Sequence, residues 1–317
     1  IGGLTRLTDS GLSITKWDLF VGIIPPFTLG QWNEAFSLYK ETSEYKIQNF
    51  SMNLQEFKII FWWEYIHRLL GRFIGLIYII PLIFFTFKKI IKSKLLITLY
   101  FIFFLICLQG FIGWYMVQSG LINNTDVSHY RLSLHLTLAF IILALVFWNY
   151  LKFTNLNNFA SSYKRLPMHL PLLFFILVLV QISFGAFVSG LDAGQIYNTW
   201  PLMNGAYFPN DSNLNDLFSI KFLNETSLVQ FVHRNIAYFI FFFFLHIIVT
   251  IYKNKNFLYL RKISLIILCI LLIQIFLGIF TVLSKAQIIL ASLHQLGSII
   301  LLLSSVILIF KNHRKIN

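Results

Sequence analysis

Seven long apolar stretches limit this chain to one class of fold. They run near 58–87, 95–117, 129–151, 168–189, 228–252, 263–284 and 288–310. Each can cross a hydrocarbon layer of roughly 30 Å as a helix, which takes about 20 residues. Only 12% of the residues are charged, against about a quarter in soluble domains. The sequence therefore predicts an all-α, polytopic membrane protein.

The connections between these stretches alternate in charge. Segments 88–94, 152–167, 253–262 and the tail from Lys311 hold more than half of the basic residues and none of the acidic ones. Basic segments stay on the cytoplasmic side, so these face the cytoplasm, or the matrix of a mitochondrion, and the C-terminus is inside. Segments 1–57, 118–128, 190–227 and the turn near Lys285 hold nearly all the acids and face outside. The net charge of +13 is thus a topology signal and calls for no nucleic acid. Seven spans with an inner C-terminus put Ile1 outside. The opening IGGLTRLTDSG reads like the outer end of a helix, so a first span, and any targeting segment, is expected to be missing before Ile1. The aromatic, Pro25-Pro26-interrupted stretch within 12–57 is expected to pack at the membrane interface against the outer face of the bundle. Cys107 and Cys269 lie inside spans, which excludes a disulfide in the outer loops and suggests buried, inert thiols.

The chain also repeats itself. GGLTRLTDSG (2–11) aligns without gaps on GAFVSGLDAG (185–194), EYIHR (64–68) on QFVHR (230–234), QGFIGWYMV (109–117) on QIFLGIFTV (274–282), and SLHLTLA (133–139) on SLHQLGS (292–298). With the first span restored, each copy is four helices and returns the chain to the same side. The expected architecture is two parallel four-helix-bundle repeats, eight helices in the full protein, with an N-terminal unit 1–160 and a C-terminal unit 161–317.

Four histidines, His67, His135, His233 and His294, occupy matched places in the two copies, at a similar depth from the outer end of their spans. One imidazole in an apolar helix is commonly a packing residue, but four at one level, two per copy, call for a ligand, because a polar ring in lipid must pair or bind metal. Facing histidines on neighbouring helices suit haem iron. Zinc suits less well, since the second copy has no carboxylate or thiolate at ligand spacing. Arg6, Arg68, Arg72, Arg131 and Arg234 lie near the same level and are candidate partners of haem propionates or of Glu64 and Asp9. Glu64 aligns with Gln230, so one copy alone carries an ionisable group there. At helical spacing Glu64, His67, Arg68 and Arg72 share one face. His129, His169 and His313 read as interfacial or tail residues, and His246 lies near an inner end.

These residues resemble a known family. GGLTRLTDSGLS, EFKIIFWWEYIHRLLGR, YRLSLHL (130–136), DAGQIYNTWPLMNG (192–205), FVHRNIAY (231–238) and SLHQLG (292–297) are similar to the signature segments of haem A synthases of the alphaproteobacterial and mitochondrial form, in order along the whole chain. The resemblance implies an eight-helix oxidoreductase that converts the C8 methyl of haem O to a formyl group, with water as oxygen source, giving haem A for cytochrome oxidase. It implies that substrate haem lies between His67 and His135 of the first half, and a haem b cofactor, bound through its iron, between His233 and His294 of the second. It marks Glu64 as catalytic. Implied partners are haem O synthase, cytochrome oxidase assembly factors, an electron acceptor of unspecified identity and further copies of the chain. The implied location is the bacterial inner membrane or the mitochondrial inner membrane. Some members carry a cysteine pair in an outer loop that this chain lacks. Two readings of other classes stand beside this one: a two-haem cytochrome b electron carrier, which leaves Glu64 against Gln230 unexplained, and a transporter with parallel repeats.

Overall fold

The computed structural model describes residues 1–16, 23–121, 124–154 and 164–313. Its α-helices are α1 (Gly2–Leu7), α2 (Leu29–Lys40), α3 (Ser43–Ile47), α4 (Leu54–Phe87), α5 (Ser93–Val117), α6 (His129–Phe153), α7 (His169–Gly190), α8 (Thr226–Lys253), α9 (Leu258–Leu283) and α10 (Ile288–His313). Short 3₁₀ turns at Ala193–Gln195, Leu214–Phe218 and Ile220–Asn224 shape the connection between α7 and α8. Among the described residues there is no strand, and a single isolated bridge joins Met203 to Ala206. The seven helices α4 to α10 are long and apolar enough to cross a membrane, and the chain is an all-α, multi-pass membrane protein.

The apolar windows locate these helices but not their ends, because polar caps set the ends. Asn53 accepts hydrogen bonds from the main-chain nitrogens of Gln55 and Glu56, and Glu56 reaches back to the Asn53 nitrogen. This capping box satisfies orphan donors and starts α4 at Leu54, ahead of the apolar window. His67 consequently lies further from the start of its helix than the other three histidines do. Asp9, after α1, and Asp192, after α7, both adopt the left-handed conformation, with φ of 46° and 51°. The repeat thus extends to the turn that ends each helix.

The chain divides into two compact units, 1–138 and 139–317, with the division inside α6. The boundary expected at 160 falls outside the described residues. In the second unit α7 packs on α8, α8 on α9, α9 on α10, and α10 closes on α7, a four-helix ring. Its core contains Phe174 against Phe244, ring centres 4.5 Å apart, with Ile247, Ile267 and Leu302 fully buried. In the first unit α4 packs on α1, α2 and α5, and α5 meets α6 around His135.

An outer layer covers the start of α4. Trp32, Phe36 and Tyr39 of α2 pack against Phe57, Phe61 and Tyr65, and Phe57 stacks between Phe36 and Tyr39 with ring centres 5.0 and 5.2 Å away. The segment expected to pack against the bundle does so through these aromatics, although residues 17–22 of it lie outside the described set. Many large apolar side chains of the spans, among them Phe73, Ile77, Phe104 and Phe276, are exposed, as lipid-facing surfaces require. Cys107 and Cys269 are exposed too, which corrects the expectation of buried thiols. An apolar position in a span faces lipid as readily as a helix neighbour, and composition does not separate the two.

Candidate functional site

Each unit brings two of the four histidines together. In the first, the rings of His67 on α4 and His135 on α6 have centroids 6.5 Å apart at an interplanar angle of 80°. A metal bound at an imidazole nitrogen, with a bond of about 2 Å, lies roughly 3 Å from the ring centre. The separation therefore suits two rings on opposite sides of one metal. In the second unit His233 on α8 and His294 on α10 are half-buried and within electrostatic reach of each other. Among the described residues no group of three or more His, Cys, Asp and Glu is arranged to hold a metal ion. A metal taking two ligands here needs the rest from its own carrier, which is what a porphyrin supplies.

Every one of these rings lies against a glycine of a neighbouring helix. A Cβ built on Gly2 would stand 2.8 Å from His67 Nε2, and one on Gly113 would stand 3.0 Å from His135 Cε1. In the second unit the corresponding distances to Cε1 are 3.4 Å from Gly185 to His233 and 3.1 Å from Gly278 to His294. Glycine lets the ring come this close to a helix backbone, and a larger residue would push it away. Glutamines contribute as well. Gln109 Nε2 is 3.1 Å from His135 Nδ1 and donates to the His135 main-chain oxygen at 3.0 Å. Gln181 Nε2 is 3.2 Å from His233 Nε2 and donates to the His233 main-chain oxygen at 3.0 Å.

Glu64 and Gln230, aligned by the repeat, both anchor the segment leading away from the preceding helix end. Glu64 is 2% exposed and accepts from the Ser13 hydroxyl at 2.7 Å and the Ile14 nitrogen at 2.8 Å. Its other oxygen pairs with Arg68 at 2.5 Å. Gln230 instead donates to the Ala193 and Ile196 carbonyls, each at 2.7 Å, and accepts from Arg234 at 3.1 Å. The arginines complete the likeness: Arg68 donates to the Ile14 and Lys16 carbonyls, and Arg234 to those of Tyr197 and Thr199. The register that aligns Gly2 with Gly185 aligns these acceptors too.

The remaining arginines named from sequence are also engaged. Arg6 pairs with Asp9 at 2.7 Å and with Asp126 at 3.2 Å. Arg131 donates to the Tyr115 carbonyl at 2.6 Å and lies 3.6 Å from the centre of the Tyr115 ring. Arg72 is half-buried one turn beyond Arg68 on α4 and in electrostatic reach of Arg68 and Tyr65. Of the other histidines, His129 lies against Tyr130 with ring centres 4.4 Å apart, His313 lies near Trp148, and His169 and His246 are exposed. Sequence reasoning missed the glutamines and their glycines as parts of the site. Their signal was present in the aligned QGFIG and QIFLG, which read only as evidence of duplication.

Comparison with known proteins identifies relatives along nearly the whole chain. A family model described as cytochrome oxidase assembly protein, COX15-CtaA, matches residues 1–306. The chain is 52% identical over 320 residues to a protein of Pelagibacter ubique (strain HTCC1062) named "Heme A synthase", covering 98% of this chain and 91% of that one. It is 44% identical over 304 residues to the "Heme A synthase" of Rickettsia bellii (strain RML369-C), covering 95% and 90%. To that of Rickettsia africae (strain ESF-5) it is 43% identical with the same coverage. No solved structure matches it.

Proposed function

Because this chain belongs to the cytochrome oxidase assembly protein family COX15-CtaA, we propose a division of labour between its units, with haem O taken between His67 and His135 and haem b held between His233 and His294. The chain is a haem A synthase, an oxidoreductase of the membrane that converts haem O to haem A. The electron-carrier and transporter readings account for neither its relatives nor Glu64.

The observation that carries the substrate site is the pair of imidazoles with centroids 6.5 Å apart, matched to one iron and flanked by Glu64 on the same helix. The residues of the second unit fit haem b as well: two buried imidazole nitrogens, His233 Nδ1 and His294 Nδ1, have no hydrogen-bond partner, and a glycine stands behind each ring. When bound, haem b supplies a one-electron redox centre. The chain's own residues do the rest. His67 and His135 fix the substrate iron and with it the position of the methyl group. The buried Glu64 carboxylate, held by Ser13, Ile14 and Arg68, takes up a proton as the methyl carbon is oxidised.

Turning a methyl into a formyl group with water as oxygen source releases electrons and protons in equal number, so an external electron acceptor is part of the reaction. Arg68 and Arg234 act mainly by shaping the outer loops, and Arg6, Arg72 and Arg131 remain candidates for the propionates. The two halves so assigned are the proposed repeats, 1–160 and 161–317. The basic connections put the C-terminus on the cytoplasmic or matrix side of a bacterial or mitochondrial inner membrane. Haem O synthase, oxidase assembly factors and further copies of the chain are the expected partners.

Pigment extraction from protein purified out of membranes tests the division. His67→Ala and His135→Ala are expected to keep haem b and lose bound haem O and haem A. His233→Ala and His294→Ala are expected to lose haem b. Loss of haem b from the first pair of variants, or its retention in the second, would overturn the assignment.

A further inference from the structure

The glutamines and glycines beside the histidines follow one pattern. Gln109 and Gly113 on α5, Gln181 and Gly185 on α7, and Gln274 and Gly278 on α9 are each separated by one helical turn, so the two side-chain positions share a face. Each glycine meets one histidine of the proposed haem pairs: His135, His233 and His294 respectively. Two of the glutamines also meet the histidine that their glycine meets, at a ring nitrogen and at the main-chain oxygen. In both, the amide oxygen Oε1 is buried and without a hydrogen-bond partner.

The third glutamine differs for a reason that can be read from its neighbour. A Cβ on Gly297 would come within 1.7 Å of Gln274 Nε2, so that amide occupies the gap left by a glycine on α10. The repeat aligns Gly297 with Leu138, so the corresponding position of the first unit carries a side chain. Gln274 Nε2 and His294 Nδ1 are both without partners. The gap at Gly297 thus holds the glutamine away from the ring that its counterpart, Gln109, contacts.

We propose that the Gln-x-x-x-Gly stretches are the orienting elements of the haem-ligating histidines: the glycine admits the ring to the helix surface, and Gln109 and Gln181 fix the rotation of the imidazoles of His135 and His233. The proposal rests on the assignment of those histidines to haem. An imidazole that gives one nitrogen to iron carries a proton on the other, and a ligating histidine usually donates that proton to a carbonyl or carboxylate. A half-turn of the amide presents the unused Oε1 to that proton and gives up the bond from Nε2 to the main-chain oxygen. Gln109 and Gln181 are positioning residues, acting through the ligand, and the side-chain amide of Gln274 makes no such contact with His294.

Redox titration and low-spin EPR of the purified, haem-loaded protein test this. Gln181→Leu removes the acceptor, and the expected result is haem binding weakened roughly tenfold or more, a raised midpoint potential of haem b and a shifted EPR signal. Gln181→Glu supplies a stronger acceptor, makes the ligand more basic and lowers the potential. Gln274→Leu leaves both readouts as in the wild type. Opposite shifts for Leu and Glu cannot come from packing alone. If both variants match the wild type or shift the potential in the same direction, the orienting role is wrong. His233→Ala is the parallel control: if it retains haem b, the haem assignment itself fails. If it loses haem b while both Gln181 variants titrate like the wild type, only the orienting role fails.

Discussion

At position 64 the side chain faces donors, the Ser13 hydroxyl, the Ile14 nitrogen and the Arg68 guanidinium. At position 230 it faces the Ala193 and Ile196 carbonyls. Each loop has the polarity that its own residue needs, so the two copies diverged in the loop as well as at the helix. An amide at position 64 would turn its NH₂ toward a donor, and a buried group left unsatisfied in this way costs about 1–3 kcal/mol. Glu64→Gln is therefore expected to lower haem A formation about 100-fold or more, the range of general acid–base contributions, while haem b in the other unit is retained. Quantifying haem A against haem b in the same extract checks it, and haem A formation near the wild-type level would remove Glu64 from the chemistry. The sequence could flag Glu64 because its counterpart is an amide. It could not show the clamp, whose partners Ser13 and Ile14 are distant in the chain and ordinary in type.

Among the elements, the long helices were legible because a run of apolar residues in lipid has to be helical. The short ones were not. α3 follows from Thr42, whose hydroxyl accepts from the Tyr45 nitrogen, and it carries a buried carboxyl: Glu44 is 2% exposed. Burial pushes Glu44 up to about 8, and the nearby charges of Glu64, Asp9 and Asp126 act in the same direction. The folded protein thus binds a proton that the unfolded chain has released above its ordinary value of 4.5. The stability from this group is fully present below that value and is lost as pH rises toward about 8. Glu44→Gln is expected to flatten this loss, so the variant in detergent gains thermal stability over the wild type at pH 8 and little at pH 5. Equal shifts at the two values would show that Glu44 is ionised throughout. Tyr39, which hydrogen-bonds Glu44 from α2, couples that carboxyl to the aromatic layer over α4.

For the whole molecule, duplication and charge alternation carried the sequence reading furthest, since both are patterns spread along the chain and neither depends on which face a residue presents. Facing is where that reading stopped, at Cys107 and Cys269 and at the glutamines beside the histidines. The same two cysteines now make orientation testable. Both are exposed on spans, where the hydrocarbon layer keeps a polar reagent away, so the unaltered protein should stay unlabelled by a membrane-impermeant maleimide in intact spheroplasts. Glu41→Cys, at an exposed position just after α2 in the acidic outer segment, should label from outside. Lys255→Cys, exposed in the basic connection between α8 and α9, should label only after the membrane is opened. Moving a cluster of lysines and arginines across the membrane is disfavoured, whereas the acidic segments bear no such constraint. Labelling at 255 in intact cells together with protection at 41 would invert the topology and move the histidine level to the opposite side of the membrane. Labelling at 41 alone keeps the paired histidines, which lie toward the N-terminal ends of α4, α6, α8 and α10, near the outer surface.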